Sequence, residues 1–120
     1  MDEFDRCTPW IEAALAYADG THTLEDIRNG IAEDRFQLWA GKRAAIVTEL
    51  LAYPRKKAVN FFLIGGDLDE LKIMEPIICE WAKRQGCDRS IGVGRKGLQR
   101  VFERAGYVPK WFYISKELVA

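Results

Sequence analysis

"AAIVTELLAYPRKKAVNFFLIGGDLDEL", residues 44–71, holds two apolar runs, a charged turn and an abrupt change of period. As far as Ile64 the runs "AAIVTELLAY" and "AVNFFLI" are β-branched, aromatic and aliphatic, the composition of strands, and "PRKK", residues 54–57, joins them. Beyond Gly65-Gly66 the apolar positions recur at helical spacing, as Leu68, Leu71, Met74, Ile78 and Trp81 of "DLDELKIMEPIICEWAKRQG". Pro76 either kinks that helix or marks its true start. Just upstream, "FQLWAG" alternates, with Phe36, Leu38 and Ala40 inward and Gly41-Lys42 as a turn. Three strands joined by short turns form an antiparallel meander.

Downstream, "CDRSIGVG" reads as a short strand. The helix between it and the meander predicts that it runs parallel to the third meander strand. "RKGLQRVFERAG" is an amphipathic helix with Leu98, Val101, Phe102 and Ala105 on one face and Gly106 as its C-cap. "YVPKWFYISKEL" reads as a final strand. Its aromatics Trp111, Phe112 and Tyr113 fall on both faces, one to be covered by a core helix and the other by a partner.

Two short helices precede the sheet. Thr8 reads as N-cap of "PWIEAALAYA", with Pro9 at the first helical position. Thr23 and Asp26 resemble a capping box, with Asp in place of Glu, for a helix that puts Leu24, Ile27 and Ile31 on one face. The predicted class is α/β: one domain over residues 1–120, a mixed sheet with helices on both faces.

With 120 residues the chain is sized for a single core. Lys plus Arg and Asp plus Glu are 18 each, so no whole-molecule field draws in nucleic acid or membrane. Cys7, Cys79 and Cys87 are not paired as CxxC units, and with one His no metal site is expected; they read as reduced thiols. "MDEFDRCTPW" suits neither a signal nor a transit peptide, and no apolar run approaches the ~20 residues of a membrane span. The expected setting is host cytoplasm or a virion.

The order of elements, and the closing "VFERAGYVPKWFYISKEL", resemble the GNAT superfamily of acetyl-CoA-dependent N-acetyltransferases. That family's ending runs from "Y-E-K-x-G-F" to "K-x-L"; here Phe102-Glu103-Arg104-Ala105-Gly106-Tyr107 and Lys116-Glu117-Leu118 stand in those places. The string as a whole also resembles small GNAT-like proteins of tailed bacteriophages and prophages. Fold does not by itself give function.

The resemblance implies a CoA pyrophosphate loop "[QR]-x-x-G-x-[GA]" after the third meander strand, where bare amides and a helix N-terminus hold the anion. The corresponding stretch is "IGGDLDEL". Gly65 and Gly66 are its candidate cofactor contacts, but no Arg or Gln precedes them, and Asp67, Asp69 and Glu70 crowd the first helical turn. Asp67 reads either as a plain cap or as part of a poor anion site. The family's proton donor is a Tyr at the position of Phe102, which cannot donate; Tyr107 and Tyr113 stand outside the motif. Glu49, on the central meander strand, is the candidate base, unless it is a solvent-facing strand residue.

Gly92-Val93-Gly94-Arg95-Lys96-Gly97 is a G-x-G-x-x-G, but too few elements follow it for a dinucleotide-binding fold. It is a turn, or a weak anion site at Gly94, Arg95 and Lys96. Lys42-Arg43 and Arg55-Lys56-Lys57 are either solvated strand ends or a modest nucleic-acid patch, and His22 is a loop residue.

Three functions compete. The first is a catalytically degenerate structural or protein-binding component of a phage particle or its assembly, with protein partners or a homo-oligomer and no cofactor. The second is an acetyl-CoA-dependent N-acetyltransferase with a minimal site. The third is a small inhibitor or nucleic-acid-binding module.

Overall fold

Strands β2 (Ala44–Ala52) and β3 (Lys57–Gly66) pair antiparallel along their full length, and everything else is arranged on them. The computed structural model describes residues 2–119. Before the central pair come α1 (Glu3–Leu15), α2 (Leu24–Ala32) and β1 (Gln37–Ala40); after it come α3 (Leu68–Arg84), β4 (Arg89–Gly92) and α4 (Lys96–Arg104). The sheet order is β1-β2-β3-β4, with β1 antiparallel to β2 and β4 parallel to β3. The expected meander and parallel crossover are both present.

The sheet separates two cores. Ile46, Val59 and Phe61 face α3 and α4, meeting Leu71, Ile78 and Leu98. Ala45, Val47 and Leu63 face α1 and α2, meeting Phe4, Ile11 and Ile27. Register breaks once: Val47 pairs with Leu63 but Thr48 pairs with Phe61, so Phe62 is an extra residue, a β-bulge. Phe62 and Leu63 in consequence both pack toward the α1 and α2 layer.

Helix ends follow local chemistry. Thr23 Oγ1 accepts from the Asp26 N–H and Asp26 Oδ2 accepts from the Thr23 N–H, the expected box. α4 ends in a Schellman motif: Gly106, at φ +101°, donates to the Glu103 carbonyl, and Tyr107 donates to that of Phe102. The apolar contact that accompanies such a motif is the Phe102 and Tyr107 rings, edge to face with centroids 5.0 Å apart.

Two expectations change, the start of the first helix and the final strand, and one alternative is decided, at Pro76. α1 starts six residues before Pro9, at Glu3, with Asp2 as N-cap, not Thr8. Phe4, Cys7, Ile11 and Ala14 form one buried stripe, and burying it outweighs the backbone hydrogen bond that Pro9 cannot make. Thr8 instead donates its hydroxyl to the Phe4 carbonyl at 3.1 Å. Pro76 does not mark a helix start; it lies inside a continuous α3 capped by Asp67.

The final strand is absent. Residues 107–119 follow α4 without secondary structure, and among the described residues the backbone of 108–119 makes no hydrogen bond. A strand needs a partner edge, and aromatics on both faces need cover on both. The segment is paired with no strand and covered on neither face: Trp111 is 88% and Phe112 92% exposed.

Candidate functional site: a split between the parallel strands

The parallel pairing of β3 with β4 runs only from Ala58–Arg89 to Phe61–Gly92. β3 continues to Gly66, while the chain leaves β4 through Val93-Gly94-Arg95 into α4. The strands therefore part, and a hollow opens on each face of the sheet, with Phe61, Ile64 and Leu98 bordering both.

The hollow beneath α3 and α4 is about 280 Å³, just below the usual range for a ligand pocket. Its walls are apolar, with Leu71, Val101 and Phe102 among them, and Lys72, Glu75 and Arg104 are its charged residues. The opposite hollow, about 290 Å³, is more polar. Glu49 and Asn60, partners across β2 and β3, lie in it with Asn60 Nδ2 donating to Glu49 Oε1 at 2.9 Å. Gly94, Arg95 and Tyr113 line the same space, and the Arg95 guanidinium sits 4.7 Å over the Tyr17 ring. The bulged Phe62 lies in its wall.

Of the sequence candidates, Glu49, Gly94 and Arg95 thus meet in one hollow. Lys96, exposed at the start of α4, does not line it. Gly65 and Gly66 border neither hollow. A Cβ on Gly65 would sit 2.4 Å from the Trp10 carbonyl oxygen, and one on Gly66 2.4 Å from that of Arg43. Gly66 also holds φ at +108°, a conformation few side-chain-bearing residues adopt. These glycines admit α1 and the β1–β2 turn close to the strand end.

The same turn closes the α3 N-terminus. Asp67 Oδ2 accepts from the Glu70 N–H at 2.9 Å, and Glu70 Oε1 accepts from the Arg43 N–H at 2.8 Å. The Asp67 N–H donates to the Arg43 carbonyl at 2.9 Å, and the Arg43 guanidinium lies 3.6 Å from Asp67 Oδ2. Backbone and side chain of one Arg are thereby bound to this helix start.

Sequence reasoning missed a polar cluster behind the apolar hollow. The Tyr107 hydroxyl donates to Glu75 Oε1 at 3.1 Å and hydrogen-bonds Ser90 of β4, while the Cys79 thiol donates to Glu75 Oε1 at 3.0 Å. Burial pushes the Tyr107 phenol far above its ordinary value, and burial likewise raises the Cys79 thiol. Protonated groups in a satisfied network hold α3, β4 and the end of α4 together. Tyr107's place next to the capping Gly106 was the signal that marked it.

Among the described residues no group of three His, Cys, Asp or Glu is placed to hold a metal, and no helix is long and apolar enough to cross a membrane.

No known family model matches the chain, and no curated protein does. Solved structures do. A tetramutant of a Bacillus halodurans protein aligns at TM-score 0.68 and 12% identity, over 97% of this chain and 92% of that one. An aminoglycoside acetyltransferase from an uncultured soil metagenomic sample, solved with sisomicin, aligns at TM-score 0.59 and 12% identity, over 95% and 89%. A V. cholerae integron cassette protein aligns at TM-score 0.55 and 11% identity, over 98% and 90%. At these identities the likeness is one of fold: an α/β, GNAT-like fold with a four-stranded mixed sheet.

Proposed function

We propose that this chain is a GNAT-fold binding protein that has given up acetyl transfer and works through protein contacts. The observation that carries this reading is the closed α3 N-terminus. A CoA pyrophosphate would need free amides and no nearby acids there. Instead Asp67 caps the helix, Asp69 and Glu70 share its first turn, and Arg43 is engaged with Asp67 and Glu70. The residues present do not fit the group. Phe102, at the place of the family's proton donor, faces the apolar hollow and has no proton to give. A phage particle or its assembly is the setting that the sequence resemblance implies.

A second reading, N-acetyl transfer through an unusual site, is favoured by one observation: the split strands bring Glu49, Asn60, Arg95 and Tyr113 to a single hollow. There Glu49 would accept a proton from an amine.

Titration calorimetry with acetyl-CoA, paired with thermal unfolding at millimolar ligand, separates the two. A micromolar ligand at a thousandfold excess over Kd stabilises a protein by about 4 kcal/mol, a shift of many degrees in Tm. The binding reading expects no heat and no shift. Micromolar binding overturns it, and Glu49→Gln then becomes the test of catalysis.

A further inference from the structure

We propose that residues 110–116 form a β-strand on the β4 edge of a second copy of this chain, giving a reciprocal strand-exchanged dimer. This goes beyond the reading above and holds whether or not CoA binds.

The argument begins with two unmet requirements in one molecule. β4 ends the sheet, so one side of Arg89–Gly92 carries unpaired backbone groups. The segment "KWFYISK", residues 110–116, is aromatic and β-branched, contains no Pro or Gly, and makes no backbone hydrogen bond among the described residues. Its Trp111, Phe112 and Ile114 side chains are 88%, 92% and 88% exposed. An edge without a strand and a strand without an edge are complementary.

Geometry directs the pairing between copies rather than within one. Tyr107 is fixed beside β4 through Ser90 and to α3 through Glu75. Only Val108 and Pro109 separate it from Lys110; Pro109 fixes its own φ and biases Val108 to an extended conformation. The segment then runs toward the α1–α2 connection, where Ser115 Oγ lies 3.4 Å from Asp19 Oδ2. It is therefore carried off its own β4 edge. A two-fold axis lets each copy fill the other's edge, and a short constrained link favours exchange over folding back. Equal numbers of acidic and basic residues put no net repulsion between two copies. β4 contains no Pro, and its one charged residue, Arg89, stands at its first position, leaving Ser90–Gly92 uncharged.

The test is light scattering after size exclusion across a concentration series, with hydrogen exchange on the same samples. The full chain is expected at twice its 13.7 kDa, with amides of 89–92 and 110–116 protected together and both released on dilution. Ile114→Pro removes a ladder donor in mid-strand and yields a monomer; Phe112→Asp makes the same point without touching the backbone. A monomer at every concentration overturns the proposal, whether its segment pairs with its own β4 or with an unrelated protein. A dimer that survives both substitutions overturns it equally, since it then uses another surface.

Discussion

Thr48 Oγ1 accepts a hydrogen bond from the indole N–H of Trp39 at 3.0 Å and donates its own O–H to Gln37 Oε1 at 2.8 Å. Thr48 is fully buried, and its hydroxyl links three side chains across β1 and β2. Thr48→Val keeps the shape and strands two polar groups. The expected cost is about 1–3 kcal/mol, read as a lower urea midpoint with an unchanged slope.

Gly65→Ala drives a Cβ against the Trp10 carbonyl, so α1 must shift from β3. Overpacking of this kind costs about 1–3 kcal/mol. Gly94→Ala meets nothing within 4 Å and is expected to leave stability within about 0.5 kcal/mol of the parent. Equal effects on the unfolding free energy would show that Gly65 is not a packing glycine.

The Tyr107 phenol is held protonated chiefly by burial. An exposed phenol ionises near pH 10, so the unfolded chain sheds this proton first. Stability from Tyr107 is thus full below about pH 10 and declines as pH rises beyond it. An alkaline absorbance titration should show a last phase that coincides with unfolding, missing in Tyr107→Phe. That variant also loses about 1–2 kcal/mol through its broken bonds to Glu75 and Ser90.

At the acid end, the Thr23 N–H holds the Asp26 carboxyl below its ordinary 3.8. The folded state binds fewer protons there than the unfolded chain, so the box contributes fully above 3.8 and is lost as pH falls through the lowered value. Asp5, through Arg28, acts in the same direction. Asp26→Asn should flatten the fall of Tm with acid, and an unchanged slope would remove Asp26 from the account.

What was legible in the sequence was what depends on near neighbours. The period change at Gly65-Gly66, the Thr23 box and the Gly106 cap are local chemistry, and the structure keeps all three. α1 was misplaced because Pro9 also fits a helix start, whereas the Phe4 stripe that overrides it shows only once α1 packs on the sheet. The final strand was inferred from composition, and composition cannot supply a partner edge. The meeting of Glu49 with Arg95 depends on how far β4 stays with β3, a length that no single segment encodes.

The bulge at Phe62 bears on how this chain tolerates changes of length. Losing one residue elsewhere in β3 would turn the following side chains to the opposite layer and exchange the contents of the two cores. Losing Phe62 itself would leave Val47 opposite Leu63 and Thr48 opposite Phe61, as they now stand. It is a splice point in the central strand, where a single codon can be deleted without renumbering inside from outside.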